Sequence, residues 1–125
     1  MTSEIGSPAE VMAEIDRLCR ALGKVADELG GLIVSLGNAE IAYGDLYEDA
    51  LCQLVEDAEG ARLPAEDVRR ALIHRDPPVR QAYHEMRRIA RRVDALQAWS
   101  RKAESELTGR ESQLRSLRGE ARGTG

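Results

Sequence analysis

The chain has 125 residues, the length of one domain, and 42% of them are apolar. Only 3% are aromatic and none is Phe, so much of the apolar share is Ala, which fills helix interfaces but builds little core. This composition argues against a compact globule with a deep pocket, and the 32% of charged residues suits coiled coils. No run approaches the roughly 18 apolar residues of a membrane span, and residues 1–10 lack the pattern of a signal peptide. We therefore predict a cytoplasmic protein without membrane contact.

The net charge of −4 is distributed unevenly along the chain. Residues 1–60 contain 13 acidic and 3 basic residues, a net charge of −10, whereas residues 84–125 contain 6 acidic and 10 basic residues, a net charge of +4. This asymmetry favours antiparallel pairing of the two halves. It is also consistent with a basic half that meets an outside polyanion.

The first helix is predicted over residues 8–58. Ser7 can cap the free backbone N–H groups, and Pro8 suits the first turn. Apolar residues then recur with a period of seven, which is typical of a coiled-coil strand. The two sets of core positions are Ile15, Leu22, Leu29, Leu36, Tyr43 and Ala50, and Val11, Leu18, Val25, Leu32, Ala39 and Leu46.

Four glycines follow the same period and form one line along this helix, although each costs a helix interior about 1 kcal/mol relative to Ala. They adjoin a second apolar line that includes Met12, Cys19, Ala26, Ile33 and Tyr47. Either the glycines break the helix, or the helix is continuous and has a second packing face for a neighbouring copy. The candidate oligomer interface comprises Gly23, Gly30, Gly37, Gly44, Leu22, Leu29, Leu36 and Trp99.

Gly60 occupies the left-handed position expected at a helix end. A short helix should follow, with Val68, Leu72 and Ile73 in contact, and should stop before Asp76-Pro77-Pro78. The last helix is predicted over residues 78–118. Its apolar line is Val79, Ala82, Met86, Ile89, Val93, Leu96, then Trp99 or Ser100, Ala103, Leu107, Leu114 and Leu117, with a slip of register between Leu96 and Leu107.

These elements predict an all-α fold in which two long helices form an antiparallel helical hairpin or coiled coil with a short connecting helix. The second packing face predicts that copies of the chain form a homo-oligomer. Residues 8–118 would be a single helical hairpin domain, between a flexible N-terminus (residues 1–7) and a disordered tail (residues 119–125).

The sequence contains no nucleophile elbow, phosphate loop, HExxH or CxxC motif. We therefore expect a non-enzymatic protein with no cofactor and no metal site. Cys19 and Cys52 are expected to be small buried or half-buried thiols, and His74 and His84 to be surface or interface residues.

Arginines cluster on the last helix, where like charges three or four residues apart repel. Tyr83 and Trp99 bracket the cluster, and such aromatic residues beside a basic track are typical of sequence-independent single-strand binding. The candidate nucleic-acid-binding residues are Arg80, Arg87, Arg88, Arg91, Arg92, Arg101 and Lys102. Alternatively, the arginines pair with first-helix acids (Glu40, Asp45, Glu48 and Asp49), and Trp99 is an interface anchor instead of a stacking platform.

Two stretches carry a family resemblance. They are Ala39-Glu40-Ile41-Ala42-Tyr43 with Tyr47, Ala50 and Ala58-Glu59-Gly60, and Leu96, Trp99, Leu107 and Ser112-Gln113-Leu114. The chain resembles small phage-encoded helical proteins that are distantly similar to the recombination mediator family typified by UvsY. The resemblance implies an oligomer in the host cytoplasm that binds single-stranded DNA and helps to load a recombinase. It assigns no individual DNA-binding residue.

We thus expect an oligomeric phage accessory protein of DNA recombination or replication that binds single-stranded DNA through an arginine-rich helix face. The alternative is a protein-interaction or scaffold module, which includes an inhibitor of a host protein, that acts through helix–helix contacts without nucleic acid. A secreted helical hairpin is disfavoured because Trp99-Ser100-Arg101 lacks a Trp-x-Gly turn.

Overall fold

The computed structural model describes residues 6–123, and side chains over residues 6–119. It contains three helices in chain order: α1 (Pro8–Asp57), α2 (Glu66–Ile73) and α3 (Pro77–Gly123). The two long helices pack against each other, and residues 6–123 contain no strand. The predicted all-α class with two long helices is therefore confirmed. None of the three helices, over these residues, combines the length and apolar character of a membrane span.

Helix α1 is continuous over 50 residues. The Ser7 Oγ accepts a hydrogen bond of 3.1 Å from the Glu10 backbone N–H and so caps the first turn as expected. The helix passes through Gly23, Gly30 and Gly37 without a break, which excludes the interpretation that the glycines interrupt it. A Cβ atom added at any of these glycines would meet nothing within 4 Å, so the glycine line faces open space.

The twelve predicted core positions of α1 are all shielded from solvent. Val11 and Leu18 are fully buried, and the other ten are half-buried. The seven-residue repeat therefore identified the side of α1 that packs within the chain. The two cysteines lie outside this repeat, and both Cys19 and Cys52 are exposed free thiols. The expectation that they are shielded is wrong, because residues between the core positions of a helix point away from its packed side.

The connection between the long helices turns at two residues with positive φ, Glu59 (φ 49°) and Gly60 (φ 87°). Of the three α2 residues expected to make contacts, Ile73 is buried and Leu72 is half-buried, but Val68 is 50% exposed. The prediction for Val68 is wrong because it lies five residues before Ile73, which places it on the far side of a helix. Helix α3 starts at Pro77, one residue earlier than predicted.

The packed side of α3 has no slip of register. Its shielded positions alternate spacings of three and four residues throughout. Two of these positions are occupied by half-buried polar residues, Ser100 and Arg110, which a search for apolar residues does not detect. The predicted slip between Leu96 and Leu107 is therefore wrong, and Trp99 lies beside the packed side with 38% of its surface exposed. Helix α3 also continues through residues 119–123, which the sequence assigned to a disordered tail. Residues 1–5 and 124–125, predicted to be flexible, lie outside the described residues.

The chain divides into two compact units, and α1 and α3 each contribute a segment to both. Residues up to Gly30 and from Asp94 onward form unit 1, and Gly31–Val93 form unit 2. In unit 1, an Arg118 Nη atom lies 3.7 Å from the Met12 sulfur, so the start of α1 meets the end of α3. The buried residues of unit 1 are Val11, Leu18, Leu96 and Ala103, and those of unit 2 are Ile73, Val79, Ile89 and Val93.

The open space beside the glycine line gives a stability prediction. Substitution of Gly37 by Ala should raise the free energy of unfolding by about 0.5–1 kcal/mol, because Ala is the better helix former and its Cβ has room. Urea denaturation of dilute protein, followed by helical circular dichroism, measures the change. The matched control is Gly60→Ala, which should lower stability because φ at this residue is +87°. A loss of stability in Gly37→Ala would contradict the open placement of the glycine line.

Candidate functional site

All three tyrosines of the chain gather with His74 in unit 2. The rings of Tyr43 and His74 lie 5.7 Å apart between centroids, and Tyr83 lies 5.5 Å from Tyr43 and 4.9 Å from His74. Tyr47 lies 5.8 Å from Tyr43 and 6.2 Å from His74. Tyr47 and Tyr83 therefore each contact both members of the Tyr43–His74 pair.

Each helix contributes to this cluster. Tyr43 and Tyr47 are four residues apart on α1, so their side chains leave the same side of that helix. His74 caps the C-terminus of α2, and Tyr83 lies in the second turn of α3. The cluster was not predicted from the sequence, because the tyrosines were considered separately. The available signal was that Tyr43 and Tyr83 both lie in the half of their helix that is nearer the connection, and an antiparallel arrangement would bring these halves together.

Tyr43 and His74 also share a hydrogen bond of 2.6 Å between the phenol oxygen and Nε2. Burial lowers the pKa of His74, and the positive charge of Arg70 and the neighbouring His84 add to this effect. Burial also raises the pKa of the Tyr43 phenol, with a further contribution from Tyr47. Both shifts favour uncharged groups, so the bond joins a neutral phenol to a neutral imidazole and ties α1 to the end of α2.

The aromatic cluster lines an open groove of about 610 Å³, which we call the tyrosine groove. Its lining residues are Tyr43, Gly44, Tyr47, Glu66, Arg70, His74 and Tyr83. Glu66 and Arg70 form an exposed ion pair of 3.4 Å within α2, which contributes little to stability. The groove therefore combines ring surfaces with hydroxyl groups, one guanidinium and one carboxylate.

A line of arginines lies on the side of α3 that also bears Tyr83. Arg80 lies three residues before Tyr83 and Arg87 lies four residues after it, so these side chains leave the same side of the helix. Arg91 continues that line, and all three arginines are exposed. We call Arg80, Arg87 and Arg91 the arginine line. Within the part of the chain whose side chains are described, none of the three has an acidic partner.

The other candidate nucleic-acid-binding residues are placed differently. Arg88 pairs with Glu85 of its own helix at 2.6 Å, instead of with an acid of α1. Arg92 lies one turn after Arg88 and also has a partner. Arg101 and Lys102 belong to unit 1. Of the seven candidates, Arg80, Arg87 and Arg91 are thus the ones that share the Tyr83 side of α3 and have unengaged guanidinium groups.

The candidate oligomer residues fall into two groups. Leu22, Leu29 and Leu36 are half-buried at the core positions of α1 and contribute to packing within the chain. The four glycines are exposed. Trp99 is partly exposed in unit 1, where it lines a cavity of about 200 Å³ together with Leu18, Lys102 and Glu106.

Exposed apolar side chains adjoin the glycine line in unit 2. Ile33 is 54% exposed, Val34 is 64% exposed and Ile41 is 65% exposed. They surround Gly37 on one side of α1, where residues three, four and seven positions apart are neighbours. We call Ile33, Val34, Gly37 and Ile41 the outer face of α1. Exposure of three large aliphatic side chains next to each other is unusual for a surface without a partner.

Residues 6–119 contain no group of three or more His, Cys, Asp or Glu side chains arranged to hold a metal ion. Comparisons of the chain with protein-family models, curated proteins and solved structures give no match. The features that bear on function are therefore the arginine line, the outer face of α1 and the tyrosine groove.

The low pKa of His74 predicts that stability decreases in mild acid. The unfolded state takes up a proton as pH falls through the ordinary pKa of 6.5, whereas the folded state resists it. The stabilisation is therefore fully present above that pH and is lost below it. Thermal unfolding at about pH 7.5 and about pH 5.5 should show a lower midpoint at the acidic pH.

The variant His74→Gln tests the assignment, because Gln removes the titrating group and retains a hydrogen-bonding side chain. Its unfolding midpoint should change less between the two pH values than that of the wild type. The exposed neighbour provides the control: His84→Gln should keep most of the wild-type pH response, because burial, the main cause of the low His74 pKa, is unchanged. An unchanged response in His74→Gln would show that another group is responsible.

Proposed function

We propose that this protein is a non-enzymatic accessory protein that binds single-stranded DNA, with the arginine line of α3 as its contact with the strand. The observation that supports the proposal is the position of Arg80, Arg87 and Arg91 on the side of α3 that also bears Tyr83. Unpaired guanidinium groups at helical spacing suit the phosphates of a backbone, and nearby rings suit unstacked bases.

Charge supports a strand that follows α3 in preference to one that lies across both long helices. The segment from residue 1 to 60 has a net charge of −10, which repels phosphates, whereas residues 84–125 have a net charge of +4. The proposal includes the function that the family resemblance implies, in which an oligomer on single-stranded DNA helps to load a recombinase in phage recombination or replication.

A titration with labelled oligonucleotide at several salt concentrations tests the proposal. The wild type should bind at low salt, and its affinity should fall as salt rises, because bound phosphates release counterions. In the triple variant Arg80→Ala, Arg87→Ala and Arg91→Ala, the slope of log affinity against log salt should decrease by about 2, since each contact with a single strand contributes about 0.7.

The matched control removes the same charge elsewhere, in the exposed residues Arg20, Lys24 and Arg62. This triple alanine variant should retain the wild-type slope. If the wild type does not bind at low salt, the proposal is excluded. If both triple variants lose affinity equally, the effect is one of net charge and the arginine line is not the contact.

A second candidate function is a protein-interaction or scaffold module, and the outer face of α1 favours it. Ile33, Val34 and Ile41 are more than half exposed, and Gly37 leaves the surface between them flat. A second helix can approach closely where the surface is flat. We propose that this helix belongs to a second copy of the chain. The two copies would then form an oligomer of antiparallel coiled coils. This function is compatible with DNA binding, because it uses α1 and not α3.

Analytical ultracentrifugation at micromolar concentration tests this candidate. The wild type should sediment as a dimer or larger species, and Ile33→Asp with Ile41→Asp should sediment as a monomer, because buried unpaired carboxylates oppose association. The control carries the same charge at two other exposed apolar sites, Val55→Asp with Val68→Asp, and should stay associated. A monomeric wild type would exclude assembly through the outer face.

A further inference from the structure

We infer that the tyrosine groove is a base-binding site, in which one unstacked nucleobase of a single strand lies against Tyr47 and Tyr83 while the adjoining phosphates contact the arginine line. The inference rests on the proposed function, because the strand is the source of the base. It goes further by assigning a ligand to a groove of which the arginine line forms no part.

The groove has the size and shape for such a ligand. Its volume of about 610 Å³ falls within the range of roughly 300–1,000 Å³ found for small-molecule sites. Gly44 forms part of the wall without a side chain, and even a Cβ at this position would meet nothing within 4 Å. A planar ring system can therefore enter from the open side without displacing a side chain from the α1 wall.

The rings present their surfaces in a way that suits a base. Interplanar angles within the Tyr43, Tyr47, His74 and Tyr83 cluster are between 52° and 84°, so no two of these rings are stacked face to face. Tyr47 and Tyr83 are half-buried and contact the Tyr43–His74 pair from their own helices. Base–aromatic stacking is effective with any base, which suits a protein that binds strands of any sequence.

The polar groups of the groove favour a base in preference to a phosphate. The hydroxyls of Tyr47 and Tyr83 have no hydrogen-bond partner within residues 6–119, and Arg70 supplies further N–H donors. The Glu66 carboxylate would repel a phosphate but can accept a hydrogen bond from a base N–H group. The phosphates are thereby directed out of the groove toward Arg80 and Arg87, which leave α3 on the same side as Tyr83.

A structural role alone accounts for only part of the cluster. The hydrogen bond between Tyr43 and His74 fixes α2 against α1, and that role needs neither Tyr47 nor Tyr83. Those two tyrosines add ring surface and unpaired hydroxyls to an open groove. Tyr47 and Tyr83 are therefore the residues that distinguish a ligand site from a helix contact.

The decisive experiment compares two strands of equal length and charge, a thymidine oligonucleotide and its abasic analogue, in titrations with the unaltered protein. If one base stacks in the groove, the thymidine strand should bind about 5- to 150-fold more tightly, which corresponds to stacking of one base. Equal affinity for the two strands would overturn the base site and leave the proposed function standing. Absence of binding to either strand at low salt would exclude the proposed function itself.

Variants then locate the site. Tyr47→Leu with Tyr83→Leu should abolish the preference for the thymidine strand and leave the affinity for the abasic strand unchanged. Tyr47→Phe with Tyr83→Phe should keep most of the preference, because the rings remain. Tyr43 stays intact in both because it bonds to His74, and circular dichroism checks the fold. A preference that survives the Leu substitutions would place the base contact elsewhere.

A free nucleotide is the other source of the same chemistry. Thymidine monophosphate added as competitor should displace the strand only at far higher concentration, because it lacks the phosphates that lie along the arginine line. If it competes as effectively as the unlabelled strand, the groove serves a free nucleotide and the assignment to a strand is overturned.

Discussion

The structure depends on one line of contact between two long helices, whose shielded positions alternate spacings of three and four residues. This spacing keeps one side of each helix turned toward its partner along the whole contact. The residues that fill it are aliphatic: among the described side chains, the buried core consists of Val, Leu, Ile and one Ala, and the chain has no Phe. The core is consequently narrow, and the rest of each helix surface remains available for other contacts.

A narrow core has a consequence for the polar groups near it. In unit 1, Arg110 is half-buried at a core position of α3, where its Nη1 donates a hydrogen bond of 3.0 Å to Gln113 while its Nε has no partner. Arg110 also lowers the pKa of Glu14, although the larger effect on that carboxyl comes from the hydrogen bond donated by Arg17. The contact between the long helices thus accommodates the charged Arg110, because the aliphatic part of its side chain packs in the contact and the Glu14 carboxylate lies nearby.

The same contact between the two long helices explains which features of the fold could be predicted from the sequence and which could not. The heptad positions of α1, the cap at Ser7 and the turn at Gly60 are local signals, and each was predicted correctly. Arg110 was missed, and Ser100 was predicted only as an alternative to Trp99, because hydrophobicity alone cannot reveal polar residues at packed positions. The tyrosine groove was missed because the orientation of the eight-residue α2 depends on the connection, and three separate helices must be in place before Tyr43, His74 and Tyr83 meet.

The two candidate surfaces place different requirements on the same fold. Helix α1 presents an uncharged apolar surface around Gly37 within an acidic segment, which suits a helix and repels a polyanion. Helix α3 presents Arg80, Arg87 and Arg91, whose mutual repulsion needs a negative partner that the described part of the chain does not supply. Because the surfaces are on different helices, assembly through α1 leaves the arginine line free. Copies joined in this way would present several arginine lines to one strand. Because the copies are linked, the overall affinity for the strand would rise although the contacts made by each copy stay the same. The tyrosine groove of each copy would then add to this affinity only where bases are unstacked. Unstacked bases are present in a single strand and absent from a regular duplex.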